Sequence, residues 1–104
     1  MALWSLFVEV GDTRYSTQVT ADDPRSAMRR LMTSGGLKQV LARLGKEGWP
    51  PRFSARDIVL LIPMDGLVNM YLCQFGRSGK YVSVVLARTV ARKLGVPPIP
   101  RASL

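Results

Sequence analysis

The sequence predicts an α+β domain of two layers, in which helices cover one face of a mostly antiparallel sheet. Three observations support this fold class. Apolar and polar residues alternate near the N-terminus, as in a strand with one buried face. Two apolar stripes at helical spacing follow, and after them come three runs rich in β-branched and aromatic residues, separated by glycine-containing turns. The predicted order is therefore β-β-α-α-β-β-β, and 104 residues with 47% hydrophobic content suffice for one such domain.

The first two strands form a predicted hairpin. In residues 2–10, apolar side chains alternate onto one face at Trp4, Leu6, Val8 and Val10. Gly11-Asp12 is typical of a tight turn, and the alternation resumes at Tyr15 and continues to about residue 20. Because mainly polar residues occupy the opposite positions, we expect one face of this hairpin to be solvated.

Two helices are predicted next. Asp23-Pro24 marks a helix start, because an aspartate side chain accepts a free backbone N–H and proline is tolerated at the first helical position. The apolar stripes are Ala27, Met28, Leu31 and Met32, followed by Leu37, Val40, Leu41 and Leu44. On one continuous helix these stripes would centre about 170° apart, so a straight helix would expose one of them. We therefore predict a break at Gly35-Gly36, with Ser34 capping the second helix and Gly45 ending it.

Three further strands are predicted after a proline-containing linker over residues 48–51. The predicted strands cover residues 58–62, 67–75 and 81–86. Residues 58–62 are consecutive aliphatic side chains, the pattern of a strand covered on both faces. Asp65-Gly66 is a strong hairpin signal, and residues 76–79 form a second predicted turn.

The end of the chain fits a strand that passes into a short C-terminal helix. Apolar residues share one helical face at Ala87, Val90, Ala91 and Leu94. Gly95 would end that helix, and the following Val-Pro-Pro-Ile-Pro segment does not continue regular structure. We therefore predict a single domain over residues 1–95 and a mobile proline-rich tail over residues 96–104.

Charge is unevenly distributed along the chain. Residues 1–24 contain one basic residue, Arg14, and four carboxylates. Residues 25–104 contain fourteen Lys or Arg and three carboxylates, a net charge of +11. A segment this basic attracts polyanions, and phosphate contacts from Lys and Arg are enough to drive sequence-nonspecific binding of nucleic acid.

Several function classes lack the residues that they require. The sequence has no histidine and one cysteine, Cys73, which excludes histidine-based catalysis, histidine-ligated and cysteine-cluster metal centres and an intrachain disulfide. We therefore expect a non-enzymatic protein without a cofactor or metal. No stretch approaches the about 20 apolar residues of a membrane span, so we expect no membrane contact. A single cysteine suits a reducing compartment, which favours a cytoplasmic location.

The segment over residues 76–80, G-R-S-G-K, combines two glycines with two basic side chains. Backbone N–H groups in such a turn form a nest for a phosphate. With Phe75 and Val82 on either side, the spacing resembles the apolar-G-x-x-G-x-x-apolar core of KH domains. That resemblance implies a loop between two helices that clamps single-stranded nucleic acid. The strand-like run before the segment instead favours a plain hairpin turn.

Aromatic residues offer a second route to nucleic acid. Trp49 and Phe53 flank two prolines and Arg52, and aromatics among basic residues stack on unpaired bases. Loop aromatics also pack onto the core, and we favour core packing for both. Cys73 lies in an apolar strand and is predicted to be a buried structural cysteine.

Two function hypotheses follow. The first is sequence-nonspecific nucleic-acid binding through phosphate contacts. Its candidate anion-binding residues are Arg25, Arg29, Arg30, Lys38, Gly76, Arg77, Gly79 and Lys80. The alternative is a protein-interaction module that forms a homodimer, through an edge strand or through an exposed apolar stripe of the broken helix.

Overall fold

The computed structural model describes residues 1–89 and confirms the predicted α+β fold and its order of elements. The elements are β1 (Ala2–Val10), β2 (Thr13–Ala21), α1 (Pro24–Met32), α2 (Gly35–Arg43), β3 (Ile58–Pro63), β4 (Met70–Arg77) and β5 (Lys80–Thr89). Two short 3₁₀ helices lie between α2 and β3, at Leu44–Glu47 and Ala55–Asp57. None of the helices in residues 1–89 is long and apolar enough to cross a membrane.

The five strands form one antiparallel sheet in the order β2-β1-β5-β4-β3. Strand β5 therefore lies at the centre of the sheet, between β1 and β4, while β2 and β3 form its two edges. The side chains of β1 that were predicted to share one face are all buried. They join the buried side chains of α1 and α2 in one core, so the helices cover that face of the sheet.

Trp4 is among the largest side chains of this core. Its side chain is only 1% exposed, and the indole N–H donates to the carbonyl oxygen of Ala21 at 3.0 Å. Its ring also packs against Tyr71 of β4, with the ring centroids 5.8 Å apart. A buried indole N–H left without a partner would be costly, and this hydrogen bond removes that cost.

The predicted break between the two helices is confirmed, but it lies at Thr33-Ser34, two residues before the predicted Gly35-Gly36. Helix α1 ends at Met32, and Ser34 caps α2 by accepting from the Leu37 N–H at 3.4 Å. Both glycines therefore lie in the first turn of α2. Because the chain turns at Thr33 and Ser34, the apolar stripes of both helices are buried in the same core.

Asp23 caps α1 as predicted. Its carboxylate accepts from the Ser26 N–H at 2.7 Å, and Pro24 is the first helical residue. The hydrogen bonds from Ser26 lower the pKa of Asp23 below its ordinary value. At the C-terminal end of α2, the prediction that Gly45 ends the helix is wrong. A 3₁₀ helix continues from Leu44 to Glu47, and the following Gly48 takes the left-handed conformation, at φ +87°.

Strand β3 differs most from its prediction. It is an edge strand, not a strand covered on both faces, and Val59 and Ile62 are 59% and 44% exposed. A bulge interrupts its pairing with β4 between Ile58 and Leu60. The connection to β4 occupies residues 64–69, so β4 begins at Met70 and the preceding Leu67 and Val68 are exposed.

Strand β5 extends to Thr89, so the predicted change to helix at Ala87 is wrong for residues 87–89. Ala87 pairs in register with Ser5 of β1 and Met70 of β4. The remainder of the predicted C-terminal helix, the domain end at residue 95 and the proline-rich tail over residues 96–104 lie outside the described residues.

Candidate anion-binding site

The segment with two glycines forms a hairpin between β4 and β5, as favoured from its sequence. Ser78 and Gly79 are the two turn residues, with φ values of +55° and +79°. The arrangement implied by the KH-domain resemblance, a loop between two helices, is wrong, because the flanking elements are both strands. Arg77 and Lys80 stand opposite each other at the end of the ladder.

Gly76 lies in β4 and has a structural reason to be glycine. It pairs with Tyr81, and a Cβ at this position would overlap the carbonyl oxygen of Lys80 and lie 2.6 Å from Cδ1 of Tyr81. The absence of a side chain lets the Tyr81 ring lie across the strand. Gly76 is buried, so its side-chain position is closed to a ligand.

Arg77 connects the hairpin to the segment that precedes β3, residues 52–57. Its Nη1 lies 3.2 Å from Oδ2 of Asp57, and its Nη2 donates to the carbonyl oxygen of Arg52 at 3.0 Å. The guanidinium carbon lies 5.5 Å from the centroid of the Phe53 ring. These three contacts fix the guanidinium while leaving the side chain 48% exposed.

Asp57 is the buried carboxylate of this site, at 8% exposure. Besides Arg77, it accepts from the backbone N–H of Ser54 at 2.8 Å and from the Ser54 hydroxyl at 3.4 Å. The bond from the Ser54 backbone N–H is one half of a capping box at the start of the Ala55–Asp57 3₁₀ helix, and the Asp57 backbone N–H donates to the Ser54 side chain in the other half. The Asp57 oxygens are therefore occupied by protein donors, which compensates the burial of the charge.

A hollow of about 590 Å³ opens beside Arg77. We call it the arginine hollow, and its lining residues are Arg52, Phe53, Ser54, Arg56 and Arg77. Three arginines thus line one hollow. The nearby carboxylate of Asp57 pairs with Arg77 and does not itself line the hollow. Within the described residues, neither Arg52 nor Arg56 forms a salt bridge, so the hollow has an excess of positive charge.

Lys80 extends this basic surface to the neighbouring aromatic residue. Its Nζ lies 5.8 Å from the centroid of the Trp49 ring, a cation–π arrangement. Trp49 is half-buried and packs against the core, and Phe53 is buried at 4% with its ring 5.2 Å from that of Phe75. Core packing, as predicted for both aromatics, is confirmed.

The basic residues of the helices do not all share this surface. Arg25, Arg29, Arg30 and Lys38 are all exposed. Arg30 lines a separate hollow beside the edge strand β2, with Gln18 and Thr33. Helix α1 contacts the Ala55–Asp57 3₁₀ helix. The charge of Arg25 lowers the pKa of the Cys73 thiol and so offsets part of the increase that burial causes.

Two partners of Arg77, Asp57 and the Arg52 carbonyl, and the third arginine of the hollow, Arg56, were not among the predicted site residues. The signal available in the sequence is the pair of arginines on either side of Phe53, Arg52 and Arg56. Asp57 and Arg52 lie 20 and 25 residues before Arg77 in the chain, and a local sequence pattern does not indicate contacts at that separation.

Metal-binding clusters and a reactive thiol are not found in the described part of the chain. No group of three or more His, Cys, Asp or Glu residues within residues 1–89 is placed to hold a metal ion. Burial raises the pKa of the Cys73 thiol from an ordinary value near 9 to about 11, which keeps it protonated at neutral pH.

No protein-family model matches this chain, and no curated protein and no solved structure matches it either.

Proposed function

We propose that this protein is a non-enzymatic, sequence-nonspecific nucleic-acid-binding module that holds a backbone phosphate in the arginine hollow. One observation carries the proposal. Arg52, Arg56 and Arg77 line one hollow, and the only carboxylate among their described contacts, Asp57, is already satisfied by Arg77 and Ser54. Two positive charges are thus left for an anionic ligand.

Arg77 contributes geometry more than net charge. Its contacts to Asp57 and to the Arg52 carbonyl hold the guanidinium in one orientation before any ligand binds. A preorganised donor loses little conformational entropy on binding. The exposed part of Arg77 is thereby available to a phosphate oxygen, while Arg52 and Arg56 supply the uncompensated charge.

Phosphate contacts explain why the binding would be independent of sequence. Guanidinium groups pair with phosphate oxygens in a planar fork, and every nucleotide offers the same oxygens. The net charge of +8 adds long-range attraction for a polyanion, which raises the encounter rate at low salt. Lys80, on the same hairpin as Arg77, would contact an adjacent phosphate.

The test compares two double variants of equal charge. R52Q/R56Q removes the uncompensated charges of the arginine hollow, and R30Q/K38Q removes two exposed charges of the helical layer. Binding of fluorescein-labelled single-stranded and duplex oligonucleotides of mixed sequence is measured by anisotropy over a series of salt concentrations. For R52Q/R56Q we expect weaker binding and a log–log salt slope that is smaller by roughly 0.7 to 0.9, the loss of the one phosphate contact in the hollow.

The control variant separates the hollow from the overall charge. R30Q/K38Q should keep most of the affinity at matched salt. Equal losses in the two variants would show that binding follows net charge and would contradict the assignment to the hollow. A wild-type protein that binds neither oligonucleotide at low salt would overturn the function itself.

A further inference from the structure

The face of the sheet that points away from the helices, here called the outer face, carries an apolar row across four strands. Phe7 of β1 pairs with Val85 of β5, Val85 pairs with Leu72 of β4, and Leu72 pairs with Ile62 of β3. Side chains at paired positions lie on the same side of a sheet. Because Phe7 alternates with the buried Leu6 and Val8, this row lies on the outer face.

Within residues 1–89, the row is accessible. Phe7 is 52% exposed and Ile62 is 44% exposed, and Val85 and Leu72 are partly buried. Further apolar side chains of the outer face are Leu3, Leu60, Met70 and Ala87. An apolar surface of this extent on a soluble chain marks an interaction site.

The outer face is also the part of the sheet with the least excess charge. Among the described strand residues that point outward, the charged ones are Glu9 and Arg14, which pair across β1 and β2 with Nε and Oε2 3.7 Å apart. The whole chain carries a net charge of +8. Two copies of such a chain repel each other least when they approach through a face without net charge.

The exposed ring of Phe7 lies beside hollows in the protein surface. Two hollows adjoin its side chain, one of about 410 Å³ towards Glu9 and Val85 and one of about 340 Å³ towards Ser5 and Gln18. A surface with a protruding ring beside a socket pairs with its own copy about a two-fold axis, since each copy then supplies both parts.

The size of the face meets the requirement of a dimer. Five strands about 4.8 Å apart and about nine residues long give a face of roughly 24 by 30 Å, or roughly 700 Å². A standard protein interface covers about 600 to 1,000 Å² on each partner, and the face lies within that range.

We propose that two copies of the chain pack their outer faces together about a two-fold axis, as the two sheets of a β-sandwich, with Phe7 of each copy in a hollow beside Phe7 of the other. Neither the edge strand β3 alone nor an exposed helical stripe is then the main contact, and both helical stripes are in fact buried. The inference is independent of the proposed nucleic-acid binding, because Arg77 lies on the side of the sheet where the linker and helices pack.

The test is the mass of the full-length protein in solution, measured by sedimentation equilibrium over a range of concentrations. Phe7→Glu places a charge in the centre of the contact, and Phe7→Ser removes the ring without adding charge. Val68→Glu is the matched control, since Val68 is 83% exposed but lies in the loop before β4. Far-UV circular dichroism and thermal unfolding confirm that each variant folds.

We expect a dimeric wild type, and each Phe7 variant should raise the dissociation constant by at least about 30-fold, the effect of losing one hot-spot aromatic. Val68→Glu should leave it within about three-fold. A monomeric wild type at 100 µM would overturn the proposal. A dimer that both Phe7 variants leave intact would overturn it as well. If the wild type is monomeric and Phe7→Ser lowers its thermal stability, the ring packs within its own chain.

Discussion

Arg77 on β4 donates from Nη1 to the buried carboxylate of Asp57, with the nitrogen 3.2 Å from Oδ2, and so joins the β4–β5 hairpin to the linker before β3. The contact has two consequences. It compensates a carboxylate that is only 8% exposed, and it fixes the guanidinium that lines the arginine hollow. The same pair therefore serves stability and the proposed binding.

Arg77→Ala should lower the free energy of unfolding by about 1–3 kcal/mol, because the buried Asp57 would keep only its hydrogen bonds from Ser54. Urea denaturation measures this loss. In the D57A/R77A double variant the unpaired charge is absent, so the combined loss should be smaller than the sum of the two single losses. Additive losses would show that the two side chains do not stabilise each other.

Gly35→Ala and Gly36→Ala should each stabilise the protein by up to about 1 kcal/mol, because both residues lie inside α2 and alanine favours the helix. A Cβ at Gly35 meets nothing within 4 Å, and one at Gly36 lies 3.7 Å from the Tyr15 ring. Ser34→Ala should instead cost about 0.5–2 kcal/mol by removing the cap. Thermal unfolding distinguishes the signs, and a destabilised glycine variant would place the break at the glycines themselves.

Local signals in the sequence identify the first half of the fold. The period-two pattern around Trp4 predicts β1, Asp23-Pro24 predicts the start of α1, and the opposed apolar stripes predict the break between the helices. Each of these features is decided by residues within about one turn or one strand of each other, so a single segment contains the information.

The arrangement of the strands and of the site depends on contacts that are distant in sequence. Residues 58–62 fit a central strand by composition, but pairing places β3 at the edge, with Val59 exposed. Arg77 could be selected as a basic turn residue. Its partners Asp57 and Arg52 are brought to it by the segment between α2 and β3, whose Phe53 packs against Phe75 of β4.

Gly76→Ala should destabilise the protein by about 1–3 kcal/mol or more, because the added Cβ overlaps the backbone of the paired strand. The atoms that this Cβ would meet include the Lys80 carbonyl oxygen and the Tyr81 Cα, which lies 2.7 Å from it, and both are backbone atoms. Tyr81→Ala in the same chain should therefore fail to restore stability, which urea denaturation of the single and double variants tests. Recovery in the double variant would assign the clash to the Tyr81 ring alone.

The buried Cys73 should make the protein less stable as the pH rises from 9 to 11. The unfolded thiol ionises near pH 9, whereas burial raises the pKa of the folded thiol to about 11. Between these values the unfolded state binds fewer protons than the folded state, so ionisation favours unfolding, by at most about 1.4 kcal/mol per pH unit. Above pH 11 the thiol is ionised in both states, and the stability that the buried neutral thiol contributes below pH 9 is lost completely.

Cys73→Ala removes this ionisation and is the matched comparison, since Lys and Tyr side chains also titrate in the alkaline range. Its free energy of unfolding should be lower than that of the wild type at pH 8, because a buried sulfur is lost, but should fall less steeply above pH 9. Wild-type Cys73 should also react slowly with a thiol reagent at pH 8 and rapidly in denaturant. Parallel pH profiles for the two proteins, or rapid labelling of the folded chain, would show that the thiol is more accessible than its 0% exposure indicates.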